Sequence, residues 1–323
     1  MFANQSILIT GGSGFIGTNL ILELQRFPNV KVLNIDQCDA KIDEIQKITE
    51  ICDLRDKERL ISVVRGFNPD YIIHLAARTD LNGKSLSAYD SNITGVENIL
   101  MAASMLPSLK KILITSSMLV CGPAYYPKDQ FDYAPTTLYG ESKVETEKIV
   151  WANKPACDWA ILRPTSIWGP WFGEPYRNFF DMVLSKKYFH IGRKSCTKTY
   201  GYVGNAVYQI IQILTNPTTD ESNKVFYLGD QPTNIEEWAD EIAKEAGIKI
   251  HRCPFFLLRL AAWGGDVLKK IGIPFPMTSF RLKNMTTDNV IDLRATDKIA
   301  PMCPYTRIAG VRKTLAWMRS YEK

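Results

Sequence analysis

Tyr139 and Lys143 stand four apart in Tyr139-Gly140-Glu141-Ser142-Lys143, where a stretch of helical periodicity opens and runs on through Val150. That spacing puts both side chains on one face of a helix, close enough to interact. A phenol with a pKa of about 10 is a poor base at neutral pH, but a nearby ammonium favours its phenolate. The two together can shuttle a proton. Ser117 closes the apolar run Lys110-Lys111-Ile112-Leu113-Ile114-Thr115-Ser116-Ser117, and its hydroxyl can hold the substrate oxygen whose proton Tyr139 exchanges. Tyr-x-x-x-Lys occurs often by chance, so its weight depends on what surrounds it.

What surrounds it begins at Ile7-Leu8-Ile9-Thr10-Gly11-Gly12-Ser13-Gly14-Phe15-Ile16-Gly17, an apolar run that breaks into three spaced glycines and resumes as a helix. Gly11 allows a sharp turn off the strand, Gly14 lets the backbone approach a pyrophosphate, and Gly17 lets the helix starting at Phe15 and Ile16 pack on the sheet. Backbone N–H groups and the positive end of the helix dipole then hold phosphates without a cationic side chain. The next strand, Val30 to Asp36, ends in a carboxylate placed to accept from both ribose hydroxyls of an adenosine. No Arg follows in Gln37-Cys38-Asp39-Ala40, so NAD is favoured over NADP.

Strand and helix keep alternating. Asp53-Leu54 precedes a helix from Lys57 to Arg65, and Asp53 can either accept from an adenine amino group or cap that helix. Tyr71-Ile72-Ile73-His74-Leu75-Ala76-Ala77 is a strand emptying into small residues, which suits a flat cofactor lying on the backbone. His74 reads as a packed, hydrogen-bonded histidine. A helix from Tyr89 to Met105 carries Asn92, and Thr115 and Ser117 end a buried strand where ligands bind.

Thr10 to Gly17, Asp36, Asp53-Leu54, His74 to Ala77, Ser116-Ser117, Tyr139-x-x-x-Lys143 and Arg163-Pro164-Thr165-Ser166-Ile167-Trp168-Gly169-Pro170 together resemble the extended short-chain dehydrogenase/reductase family, in its NAD-dependent epimerase/dehydratase branch. The resemblance is firm from Ile7 to about Pro170 and holds in outline beyond. It implies Ser117, Tyr139 and Lys143 as catalytic residues. Implied cofactor contacts are Gly11, Gly14, Phe15, Ile16, Gly17, Asp36, Asp53, Leu54, Leu75, Ala76, Ala77, Asn92, Tyr139 and Lys143, Asn92 also supporting the active-site helix. Implied substrate contacts are Thr79, Ser117, Asn178, Arg193 and Arg281. Relatives that dehydrate sugars place an acid pair straight after the catalytic hydroxyl, where this chain has Met118 and Leu119, neither able to move a proton. The epimerase/reductases with Cys at the second of those positions find Leu119 here, and Cys121 stands where many relatives have Tyr. What is left is hydride and single-proton chemistry at one carbon. The expected activity is 4-epimerisation of a nucleotide sugar through a transient ketone. Alternatives are a nucleotide-4-keto-sugar reductase, a 3β-hydroxysteroid-type alcohol dehydrogenase, encouraged by the apolar stretch near Phe255, and a non-catalytic NAD(P) sensor.

Beyond Pro164 the rhythm changes. Trp168-Gly-Pro-Trp-Phe-Gly-Glu-Pro-Tyr176 is rich in aromatics and turn formers and could clamp a substrate. Arg193, Lys194 and Lys198 form a basic loop able to neutralise a diphosphate, and Arg281 and Lys283 lie in a segment, Pro274 to Asp288, that reads as irregular. Further helices are expected over Ala206 to Leu214, Ile235 to Ala246, Phe255 to Ile271 and Ile308 to Tyr321, with a strand from Lys224 to Leu228. The expected fold is α/β: a doubly wound parallel sheet (Rossmann-like) with a smaller C-terminal substrate-binding lobe. Residues 1–165 form the dinucleotide half and 166–323 mainly the lobe, with about 200–215 returning to the first domain.

Composition sets the limits. A chain of 323 residues with 46% hydrophobic content can bury a large core, and a net charge of +5 without a dense basic block argues against nucleic acid. Seven scattered cysteines with no C-x-x-C pair read as reduced thiols, neither a disulfide frame nor a metal site. A strand starts within the first residues without a basic-then-apolar leader, and Phe255 to Trp263 is interrupted by Arg259 and too short to span a bilayer. The expectation is a cytoplasmic enzyme, dimeric by resemblance.

Overall fold

Along Ser6–Thr10 (β1), Ile7 and Ile9 reach one face of a sheet and Leu8 the other, and all three are fully buried. Burial on both faces explains why the strand is an unbroken apolar run, as parallel sheets between helical layers require. The computed structural model describes every residue except 1, 3, 193, 194, 219, 271, 273–277, 322 and 323, and every side chain of the rest except those at 270, 280, 281 and 284.

In chain order the first half comprises β1, α1 (Phe15–Leu24), β2 (Lys31–Asp36), α2 (Asp43–Gln46), β3 (Thr49–Ile51), α3 (Lys57–Phe67), β4 (Tyr71–His74), α4 (Asp90–Ser104), β5 (Lys111–Thr115), α5 (Leu138–Ala152) and β6 (Asp158–Pro164). Then follow β7 (Ser166–Trp168), α6 (Tyr176–Leu184), β8 (Phe189–Ile191), β9 (Thr197–Lys198), β10 (Tyr200–Tyr202), α7 (Val203–Thr215), β11 (Val225–Leu228), β12 (Thr233–Asn234), α8 (Ile235–Glu245), β13 (His251–Cys253), α9 (Phe255–Lys270), α10 (Ser279–Thr286), α11 (Arg294–Ile299) and α12 (Arg307–Tyr321). Among the described residues, seven strands form one parallel sheet in the order β11-β6-β5-β4-β1-β2-β3. The order reverses between β1 and β4, and such a reversal opens a crevice at the strands' carboxyl ends.

Leu60 and Val64 of α3, Val96 and Ile99 of α4 and Val150 of α5 cover the face that Leu8 enters. Leu20, Ile21 and Leu24 of α1, with Ile210 and Leu214 of α7, cover the other. Both α7 and β11 therefore belong to the sheet layers although β7 to β10, which pair outside the main sheet, precede them in sequence. The remaining small strands pair as β7 with β10, β8 with β13 and β9 with β12, beside the main sheet. The segment expected to be irregular contains α10, whose Leu282 is buried against Leu258 and Ala262 of α9 and Ile191 of β8. Among the described residues no helix is long and apolar enough to cross a membrane.

Candidate active site

The glycine turn is built around close approaches. Gly11 adopts φ +77°, and a Cβ there would sit 2.6 Å from the Ala76 backbone, so the turn lies directly on the end of β4. A Cβ at Gly17 would lie 2.4 Å from the Gly11 carbonyl oxygen, whereas one at Gly14 would meet only that oxygen, at 3.2 Å. Gly14 thus faces open space. Asn34, fully buried in β2, accepts from the Gly12 N–H at 2.7 Å and donates to Ser13 Oγ and Thr49 Oγ1. Its role went unread in the sequence, although a polar residue inside the apolar run Val-Leu-Asn-Ile was the available signal. Asp36 closes β2 with its carboxylate on the same turn, accepting from the N–H groups of Ser13 (3.0 Å) and Cys38 (3.3 Å).

Across the reversal, β5 delivers Ser117 and α5 delivers Tyr139 and Lys143. Thr137 caps α5 by accepting from the Gly140 N–H at 3.0 Å. A Cβ at Gly140 would fall 2.2 Å from the Leu119 carbonyl oxygen, so glycine lets the first turn of α5 press against the turn after Ser117. Tyr139 is thereby brought beside Ser117, close enough for the serine hydroxyl to act on the phenol. Burial pushes the phenol up to about 12, Ser117 pulls it back, and the neighbouring hydroxyls of Tyr176 and Tyr89 raise it further. Lys143 donates to the Thr115 carbonyl at 2.8 Å, and burial brings its ammonium down to about 8 against a rise from Glu147. The lysine does not figure among the groups that move Tyr139; burial dominates that phenol. Met118 and Leu119, half-buried directly after Ser117, offer no proton-transfer group.

The supports of α5 are buried. Asn92 donates to Ser142 Oγ and the Arg78 carbonyl and accepts from the Arg78 N–H, so it braces α4, α5 and the segment after β4. One turn beyond Lys143, Glu147 pairs with Arg163 at 2.8 and 2.6 Å, and Tyr133 also donates to it. His74 bonds Thr10 Oγ1 through Nδ1 at 2.8 Å and is held neutral, its pKa lowered to about 3 by burial and then by Lys143. Cys121 packs with Val120 and Val144.

Other expected site residues are more dispersed. Leu54 is buried, and Leu75, Ala76 and Ala77 are half-buried at the end of β4. Asp53 gives its carboxylate to the Arg55 guanidinium at 2.6 to 3.1 Å, which holds it below the usual range. Thr79 lines a cleft of about 380 Å³ with Gln37, Arg55 and Arg78, on the Asp36 side of the crevice. Asn178 is exposed on α6. Lys198 lies on β9, its ammonium lowered by burial. Arg193, Lys194 and the Arg281 side chain fall outside the described residues. The aromatic segment departs from the expected clamp: Trp168 and Phe172 are core residues, and Trp171 packs on Trp317 and Tyr321. Tyr176 differs, since it bonds Ser166 at 3.0 Å and acts on Tyr139. Asn205, in the first turn of α7, donates to Asp230, whose carboxyl burial raises to about 6.

Residues 7–229 match the sequence pattern of the NAD dependent epimerase/dehydratase family. This chain belongs to that family. Among the family's members and their kin, the N-acetyl-alpha-D-glucosaminyl-diphospho-ditrans,octacis-undecaprenol 4-epimerase of Escherichia coli O157:H7 is 29% identical over 97% of this chain and 95% of its own length. A 3-beta-hydroxysteroid dehydrogenase from Mycolicibacterium neoaurum is 26% identical over 76% of this chain and 71% of its own. The structure of UDP-glucuronic acid 4-epimerase from Bacillus cereus in complex with NAD superposes with a TM-score of 0.74, covering 98% of this chain and 100% of that one at 17% identity, which shows the shared fold.

The family's cofactor is NAD, and the crevice suits it. Among the described residues Thr115 Oγ1 and Ser116 Oγ are buried without a protein partner, as is His74 Nε2, all at the carboxyl ends of β4 and β5. Buried polar atoms without partners are costly unless a ligand or water meets them. Open space over Gly14 and the Asp36 carboxylate beside it lie along the same edge.

Proposed function

We propose that this protein is an NAD-dependent 4-epimerase of a sugar carried on a diphosphate. The observation that carries the reading is the convergence of Ser117, Tyr139 and Lys143 at the end of β5, with no acid at the two positions directly after Ser117. Gly11, Gly14, Phe15, Ile16 and Gly17 would hold the pyrophosphate of NAD and Asp36 its adenosine ribose, while Lys143 would reach the nicotinamide ribose. NAD bound there supplies a reversible hydride acceptor and a ring cation that favours the phenolate.

Tyr139 takes the proton of the substrate hydroxyl as its carbon is oxidised to the ketone, and gives it back when the carbon is reduced from the opposite face. Ser117 donates to the same oxygen in the ketone state, where negative charge develops on reduction. Met118 and Leu119 leave no group to protonate a departing hydroxyl, so the product keeps its oxygen. Asn178, Lys198, Arg193 and Arg281 are the proposed holders of the diphosphate, and Thr79 of the sugar side. Residues 1–165 serve as the dinucleotide half and 166–323 mainly as the substrate lobe, with 200–215 returning to the first. Two copies would associate through α4 and α5, which sedimentation at graded concentration tests.

The sequence favours a nucleotide carrier, whereas the Escherichia coli relative that matches almost end to end has its sugar on a polyprenyl diphosphate. The experiment is an NMR screen for inversion at C4 with UDP-, GDP-, dTDP- and CDP-sugars and with polyprenyl-diphosphate sugars, alongside release of bound NAD on denaturation. Inversion by the wild type, falling about 10²–10⁴-fold in Tyr139→Phe with NAD retained, is the expected result. Full activity of Tyr139→Phe would remove the assignment. A second reading, a 3β-hydroxysteroid-type dehydrogenase, is favoured by the Mycolicibacterium relative, and net NADH production from a sterol without any sugar inversion would establish it.

A further inference from the structure

Helix α9 turns an apolar stripe outward. Phe256, Leu260, Trp263 and Val267 recur at i, i+4, i+7 and i+11 and so share one face, where they are 63%, 63%, 70% and 44% exposed. Leu257, also exposed, borders them. The opposite face is already satisfied: Leu258 and Ala262 pack on Ile191 and Leu282. A surface helix ordinarily shows solvent its charged face, and here both faces are apolar. A contiguous exposed patch of large side chains marks an interaction surface.

Charge selects the partner. Residues 255–286 carry Arg259, Lys269, Lys270, Arg281 and Lys283 against the single acid Asp266, so they hold +4 of the chain's net +5. Counted along the sequence, most of the excess therefore falls in the segment that carries this stripe. Two copies meeting face to face would set like charges together, whereas anionic lipid headgroups would neutralise them. Phe, Leu and Trp on one side of a short helix with Arg and Lys at its margins is the pattern of a helix lying in the headgroup region.

The helix is also tied to the catalytic crevice. It packs on α10, and the segment leaving α10 places Asn289 between β9 and the Ala124 N–H, which is bonded to Asn289 Oδ1 at 3.2 Å in the loop that follows Ser117. We propose that α9 docks the protein on an anionic membrane surface, stripe inward, and that it does so to reach a sugar carried on a membrane-embedded polyprenyl diphosphate. The second half rests on the 4-epimerase reading and the first does not.

Co-sedimentation of the NAD-loaded full chain tests this with vesicles of phosphatidylcholine alone and with about one third phosphatidylglycerol. The wild type is expected to pellet with the anionic vesicles and to be released by salt. Phe256→Ser/Trp263→Ser and Leu260→Glu should each lower the bound fraction by roughly tenfold or more, with melting temperature and NAD content unchanged. Met302→Ser, at an exposed methionine elsewhere, should bind like wild type. The α9 variants should also turn over a long-chain polyprenyl-diphosphate sugar in vesicles more slowly while keeping their rate on a water-soluble diphosphate sugar. Wild type that stays in the supernatant, or α9 variants that pellet equally, would overturn the docking. So would variants whose one change is loss of self-association, since a second copy would then cover the stripe. Inversion of soluble sugars without vesicle binding refutes the docking alone, and vesicle binding without inversion of any sugar refutes the epimerase reading alone.

Discussion

Glu147 receives two hydrogen bonds from the Arg163 guanidinium, at 2.8 and 2.6 Å, with both side chains shut off from solvent. The pair fixes the third turn of α5 against β6, one turn past Lys143, and the Tyr227 hydroxyl and the Gln130 carbonyl each accept one further guanidinium hydrogen. Glu147→Gln should cost about 3–5 kcal/mol, because it leaves the guanidinium buried without its counter-charge. Glu147→Leu/Arg163→Met should recover much of that loss. Urea denaturation of the three proteins checks both statements, and a single variant as stable as wild type would contradict them.

Lys143 gives a pH signature. Its folded pKa of about 8 lies below the value of 10.5 expected for an exposed lysine. Between those values the unfolded chain holds the extra proton, so this residue makes stability rise with pH, by up to ~3 kcal/mol, and below about pH 8 the fold bears the full cost of the buried ammonium. The difference in urea midpoint between wild type and Lys143→Met, followed from about pH 7 to about pH 10, should therefore change in the wild type's favour. A flat difference would show that the ammonium is solvated.

Two glycines of the turn should separate. Gly17→Ala forces a Cβ to 2.4 Å from the Gly11 carbonyl oxygen and should destabilise the fold by about 1–3 kcal/mol or prevent it. Gly14→Ala meets only one atom, at 3.2 Å, and should fold normally yet lose NAD, because the methyl occupies the space proposed for the pyrophosphate. Melting curves and NAD content after purification report the two effects. Retained NAD in Gly14→Ala would move the pyrophosphate elsewhere.

Asn34→Ala removes the acceptor of the buried Gly12 N–H, and the expected cost is about 1–3 kcal/mol. NAD affinity should fall with it, since the turn loses its brace. Isothermal titration on the apoprotein distinguishes a weakened turn from an unaffected one.

The residues that sequence reading located are those whose chemistry depends on local spacing. A glycine every third residue after a strand, an acid at the next strand's end, and a tyrosine and lysine one helical turn apart each state a geometric demand within a short window. Asn34, Glu147 and Arg163 do not, because their partners are brought together by tertiary packing, across 22 residues in the first case and 16 in the second. The segment from Trp168 to Tyr176 misled for a related reason: aromatics among turn formers can face a ligand or a core, and contact with Trp238, Trp317 and Tyr321 decided for the core. Helix α10 escaped notice because its eight residues show little apolar periodicity and, among the described residues, reach α9 through the buried Leu282, the partly buried Met285 and a bond from the Ser279 N–H to Asp266. The outward stripe of α9 was visible as apolar composition, but which face the fold leaves uncovered is a property of the packed chain.

The ammonium of Lys143 is tethered to the peptide oxygen at position 115, not to a side chain. An anchor made of main chain does not depend on which side chain its residue carries, so the lysine stays moored through any change there that leaves the strand's path intact. The most demanding placement in the crevice is in this way insulated from mutation at its point of attachment.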